Sequence, residues 1–108
     1  MSENFVKVAR VEEVKLGKMK RVEVHGHHIL LANVDGEFYA TDDTCTHEDT
    51  SLSKGYLEGD VVKCPLHNSR FNVRTGEVLE EPAEENLRTY PVRIEGHDIL
   101  VGLARKTT

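Results

Sequence analysis

The residues of this chain best able to do chemistry sit in two short motifs, Cys45-Thr46-His47 and Cys64-Pro65-Leu66-His67. They contain both cysteines of the 108-residue sequence, and Glu48 through Lys63 separate them. Thiolate and imidazole together bind iron or zinc. Zinc accepts two Cys and two His, but its usual spacings are C-x2–4-C and H-x3–5-H, whereas each motif here mixes the two ligand types. A Cys–His catalytic pair would need an activated thiolate beside an oxyanion site, and two equivalent pairs suit that poorly. The opening Met1-Ser2-Glu3-Asn4-Phe5 has no basic region followed by an apolar run. Two cysteines without a secretory signal favour a metal or redox role over a structural disulfide.

The segments around the motifs read as short strands. Phe5 to Ala9 is a strand with Phe5 or Val6 and Val8 facing inward. Val8, Val11 and Val14 recur every third position, enough for one helical turn before Leu16-Gly17 ends it. Met19 to Val24 alternates, with Val22 and Val24 on one face. His25-Gly26-His27 is a turn, and Ile29-Leu30-Leu31-Ala32 is a short unbroken apolar run. Val34-Asp35-Gly36-Glu37 is a hairpin signal leading into Phe38-Tyr39-Ala40. Beyond Thr41 the pattern becomes polar and irregular up to Val61-Val62-Lys63, a strand that delivers the second motif. Phe71 and Val73 alternate with polar residues, and Thr75-Gly76 turns the chain into Val78-Leu79. Glu80 to Asn86 is an acidic loop with Pro82. Tyr90, Val92 and Ile94 mark an alternating strand in which Pro91 suggests an edge or a strand start. Glu95-Gly96-His97-Asp98 turns into Ile99-Leu100-Val101, and Arg105 to Thr108 is a polar tail.

No window of eleven residues keeps a helical period, so the expected fold class is all-β, an antiparallel sandwich or barrel. One domain covering 1–108 is expected, with the metal-binding loops, roughly 42–76, inserted between strands at one end. A formal net charge of −5 disfavours a nucleic-acid partner and makes a basic patch on a protein partner plausible. Nothing approaches the length of a membrane span, and a cytoplasmic location is expected unless a leader has been removed.

The pairing of C-x-H with C-P-L-H resembles the signature of the Rieske family. The resemblance extends to Leu52-Ser53-Lys54-Gly55, to Phe71-Asn72-Val73-Arg74-Thr75-Gly76 and to Leu87-Arg88-Thr89-Tyr90-Pro91-Val92, so it covers essentially the whole chain. It implies a Rieske-type antiparallel β-sandwich with a small two-loop cluster-binding subdomain. The motif style and length resemble the small ferredoxins that serve bacterial aromatic-ring-hydroxylating dioxygenase systems. By that resemblance the cofactor is one [2Fe–2S] cluster, with Cys45 and Cys64 ligating the inner iron and His47 and His67 the outer iron. The protein would be no enzyme but a soluble, monomeric one-electron carrier, docking at its His47/His67 face to a flavin-dependent NAD(P)H reductase and to a terminal oxygenase. The alternative is a Rieske small subunit of a multisubunit enzyme such as assimilatory nitrite reductase, a family that often lacks some of the ligands present here.

Charge explains what this ligand set does. Two ferric ions, two sulfides and two thiolates sum to zero, whereas four thiolates leave a dianion that accepts an electron less readily. Departures from the respiratory-type pattern tune the centre. Thr50 and Leu66 replace the two cysteines of an interloop disulfide, and Phe71 stands where a tyrosine hydroxyl would donate to a cysteine sulfur. Ser69 matches a serine that donates to a bridging sulfide. Pro65 would buttress the side of the cluster, and Glu48 and Asn68 replace common glycines. Fewer donors imply a potential toward the low end of the Rieske range. The cluster His25, His27 and His28 reads as a polar turn, with a second metal site as the alternative, and His97 as a turn residue.

Overall fold

A strand with one wet face alternates in polarity, so the unbroken run at Ile29–Ala32 requires a strand that is dry on both faces. In the computed structural model, which describes residues 5–45, 50–65, 69–80 and 85–103, that is its position. The described strands are β1 (Phe5–Arg10), β2 (Met19–Val24), β3 (His27–Val34), β4 (Glu37–Asp42), β5 (Tyr56–Glu58), β6 (Val61–Lys63), β7 (Arg70–Asn72), β8 (Val78–Glu80), β9 (Thr89–Tyr90), β10 (Val92–Glu95) and β11 (Asp98–Gly102). They form three sheets ordered β1-β11-β10, β2-β3-β4-β9 and β5-β6-β7-β8, with antiparallel neighbours throughout. The expected all-β class is the observed one; the helical content of the described residues is two 3-10 turns, Val11–Glu13 and Leu52–Lys54.

β3 lies between β2 and β4. Its Ile29 and Leu31 enter a core shared with Val22, Val24, Ile99 and Val101, between the first and second sheets. Its Leu30, Ala32 and Val34 enter a second core, which also holds both cysteines, Leu52, Val62 and Phe71. Alternate residues of one strand therefore serve two cores. The Asp35-Gly36 turn that follows joins the paired residues Val34 and Glu37. Both turn residues have positive φ, 54° and 92°, the geometry whose twist matches the flanking strands and which Asp-Gly tolerates.

Several elements differ from the sequence reading. β1 carries an irregularity between Lys7 and Ala9, so Ala9 is buried while Val6 and Val8 pack at the margin of the core. The valine spacing of three yields a 3-10 turn, whose period is three. Tyr90, Val92 and Ile94 are not one strand. Pro91 lacks an N–H to donate to a ladder, and the chain changes sheets there: β9 pairs with β4, and β10 with β11. Ile94 is consequently 44% exposed. The stretch after Thr41 is more regular than its polarity suggests: β4 runs to Asp42, and the Leu52–Lys54 turn and β5 precede β6. The Pro82 loop and the polar tail lie largely or wholly outside the described residues.

The Tyr90 hydroxyl donates to the Asp42 carboxylate at 2.5 Å, joining β9 to the end of β4. Burial and, next, this hydrogen bond push the Tyr90 phenol up to about 12 from 10.0. The neutral phenol is thus favoured by folding. Its contribution is complete below pH 10 and is lost as the pH climbs through about 12. Denaturation midpoints measured across that window are expected to fall less steeply for Tyr90→Phe than for the parent protein. Leu30, wholly buried, is expected on truncation to Ala to cost about 2–5 kcal/mol in urea unfolding.

Candidate metal centre

The two motifs begin from structurally matching places. Thr44 forms an antiparallel bridge with Ser51, and Lys63 pairs with Arg70 across β6 and β7; each pair is seven positions apart. Inside each, the cysteine N–H closes the loop on the residue five positions later: Cys45 on the Thr50 carbonyl at 3.0 Å, Cys64 on the Ser69 carbonyl at 2.9 Å. Two hairpins of equal span therefore each present a cysteine at the first position of the loop. β6 and β7 supply the ladder beneath the second. The first is an extension of β4.

Both cysteines are buried, Cys45 to 3% exposure and Cys64 to 1%. They face one core cluster, and neither forms a disulfide. Two thiols brought from separate hairpins to one apolar wall are a donor set suited to sulfur-ligated iron, whose thiolates need shielding from water. His47, His67, Glu48, Leu66 and Asn68 lie outside the described residues. Phe71 is wholly buried in the same core as the cysteines, and it offers no hydroxyl. Ser69 is also wholly buried. Pro65 is exposed.

The loops are held by different means. The first is tied by a buried carboxylate absent from the sequence reading. Asp43 accepts the Ser53 N–H at 2.8 Å and the Ser51 hydroxyl, and pairs with Arg21 at 3.2 Å. The available sequence signal was thin: an Asp two residues before a cysteine, with Ser-x-Ser beyond the loop, a pattern that equally describes an exposed turn. The second loop is held by close approach. Gly55, whose N–H donates to Leu52 at 2.9 Å, lies so near β6 that a Cβ would run into the Lys63 carbonyl and touch Pro65 Cδ at 3.1 Å.

The histidine cluster disperses. His25 occupies a two-residue turn with Gly26 between paired Val24 and His27, as the turn reading expects. His27 opens β3. The His28 ring, by contrast, accepts from Arg21 at 2.6 Å through Nδ1. Among the described residues no group of three or more His, Cys, Asp or Glu converges as a metal site. His97 sits in its turn, its carbonyl accepting the Val11 N–H at 2.8 Å.

Residues 4–91 match the Rieske [2Fe–2S] domain family. The chain belongs to the Rieske [2Fe–2S] family. Its cofactor is accordingly a Rieske-type [2Fe–2S] cluster, which the two buried thiols fit. Over 102 residues the chain is 50% identical to the biphenyl dioxygenase ferredoxin subunit of Pseudomonas sp. (strain KKS102), with 94% of either chain covered. Its fold superposes with a TM-score of 0.90 and 34% identity on a chain from the complex of reduced oxygenase and oxidized ferredoxin in carbazole 1,9a-dioxygenase, covering 99% of this Rieske chain and 100% of that one. A chain proposed as the NADH-dependent nitrite reductase small subunit of Mycobacterium tuberculosis shares the fold, at a TM-score of 0.86, 18% identity and coverage of 98% and 100%. Among the described residues no helix is long and apolar enough to cross a membrane.

Gly55→Ala forces β6 and the base of the second loop to move apart from the Leu52–Lys54 turn. The expected cost is about 1–3 kcal/mol in chemical denaturation, with faster cluster loss, followed by bleaching of the visible spectrum, than in the parent.

Proposed function

We propose that this protein is a one-electron carrier that takes electrons from a flavin-dependent NAD(P)H reductase and passes them to a terminal aromatic-ring-hydroxylating oxygenase. The observation that carries this reading is the 50% identity, across 94% of both chains, to a dioxygenase ferredoxin subunit. The burial of Cys45 and Cys64 in one core supports it from the structural side. The whole chain, 1–108, acts as one domain, with the cluster-binding segment of about 42–76 inserted between strands of the sandwich.

Cys45 and Cys64 would hold the cluster as thiolates, and His47 and His67 would hold it through imidazole nitrogens. When bound, the cluster supplies reversible one-electron storage. The chain contributes position and environment. The apolar residues packed beside the thiols, Leu52, Val62 and Phe71, exclude water from the sulfur side. Phe71 contributes no hydroxyl there, which leaves added negative charge less stabilised and favours a low potential. The second ring nitrogen of each ligand histidine is left for a partner or for protons. Docking of reductase and oxygenase, each transient, takes place at the His47/His67 face of a monomeric, cytoplasmic protein. The nitrite reductase subunit reading has the 18% likeness behind it, which carries fold alone.

Purified protein is expected to be red-brown, with sulfide and iron in a ratio near one (about the value of the [2Fe–2S] formula), and to run at its monomer mass. Cys45→Ser and His67→Ala are expected to lose most of the cluster, read as visible absorbance per chain. A colourless, zinc-loaded protein would reject the carrier reading, and a tight complex with a large haem-containing enzyme would favour the subunit alternative.

A further inference from the structure

We propose that Arg21, a half-exposed side chain on β2, is a positioning residue for the metal centre, acting through the buried Asp43 carboxylate on the first ligand loop. The inference rests on the reading of Cys45 as a ligand and extends it to a residue of another strand. Arg21 Nε lies 3.2 Å from Asp43 Oδ2, with side-chain exposures of 50% and 2%. The other ion pairs between described residues, such as Arg93–Glu95 and Arg70–Glu80, join two side chains that are each more than a third exposed. Among these pairs of described residues, that of Arg21 is the one with a charge removed from water.

What Asp43 holds is the loop. Its Oδ1 accepts the Ser53 N–H at 2.8 Å and its Oδ2 the Ser51 hydroxyl. Its own carbonyl accepts the Leu52 N–H at 2.7 Å, and the Ser51 and Ser53 hydroxyls lie 2.8 Å apart. One residue just before Cys45 thus fixes the three that follow the loop. Arg21 is aimed by His28, whose Nδ1 accepts from it at 2.6 Å, while the His28 carbonyl accepts the Asp43 N–H at 3.0 Å. Lys54 lines the same notch, but no described ion pair joins it to Asp43.

A buried carboxylate that loses its cation keeps its desolvation cost and gains an uncompensated charge. Two residues of chain span at most about 7 Å, so that charge lies close to Cys45. Added negative charge there opposes addition of an electron. Removing Arg21 should therefore act twice, loosening the loop and lowering the potential, and because both effects come from the uncompensated carboxylate, removing the Asp43 charge as well should undo both.

The experiment compares parent, Arg21→Ala, Asp43→Asn, the double variant and Arg93→Ala, all loaded with cluster, by voltammetry and by electron paramagnetic resonance of the reduced state. Arg21→Ala is expected to weaken electron affinity several-fold, the sign and order that one uncompensated charge gives by Coulomb's law at an effective dielectric of about 20, and to shift the resonance. The double variant is expected to return to within about twofold of the parent, a non-additivity that marks direct coupling. Arg93→Ala removes the same formal charge from β10 and is expected to leave the potential within about twofold. Equal shifts for Arg21→Ala and Arg93→Ala, or additive effects of Arg21 and Asp43, would overturn the proposal. If Arg21→Ala fails to hold cluster, recovery of loading in the double variant supports the coupling and continued loss overturns it. A parent protein without the Rieske resonance would reject the ligand reading itself, and this inference with it.

Discussion

The burial of β3 on both faces is the constraint from which the rest of the structure follows. Because side chains alternate across a strand, Ile29 and Leu31 serve the core between the first two sheets, while Leu30, Ala32 and Val34 serve the core that contains the cysteines. A one-residue slip of β3 would exchange the two sets. Leu31 would then face the volume fitted to Leu30, and the cysteine wall would be rebuilt from the wrong residues. The paired turns at His25-Gly26 and Asp35-Gly36, with positive φ at all four positions, hold that register from both ends. The positions of the two cysteines are thus specified by apolar packing.

The motifs, the all-β class and most strand positions were legible in the sequence because each rests on local chemistry. Cysteine next to histidine, alternation in Met19–Val24, and Asp-Gly between apolar runs carry their meaning over a few residues. What was hidden depends on distant partners. The split at Pro91 was signalled by the proline, but only the neighbouring sheets show that the chain crosses between them. Asp43 is indistinguishable in sequence from the acidic residues around it until Arg21, Ser51 and Ser53 are brought to it by the fold. His28 was grouped with its neighbours by proximity alone, although its ring serves Arg21. β5 was missed since Tyr56-Leu57-Glu58 is short, and its Tyr56 remains exposed.

The two cysteine loops have equal span and matching cysteine hydrogen bonds, yet they are secured differently. A charged network, half open to water, holds the first. The second rests on a glycine pressed against the β6 backbone. The first anchorage weakens with salt and carries charge; the second depends on shape alone and is indifferent to ionic conditions. The same geometry at the two cysteines is therefore reached through supports with different sensitivities.

The pairing of β1 with β11 sets residue 5 against residue 102, whereas β5, β6, β7 and β8 are joined to one another as successive neighbours along the chain. Closure of the first sheet thus carries the loop-closure entropy of nearly the whole polypeptide, and the sheet beneath the second cysteine carries that of short hairpins only. In terms of contact order, the sheet beneath Cys64 is the local part of the topology. The β1-β11-β10 sheet is the non-local part, incomplete until residues 5 and 102 have met.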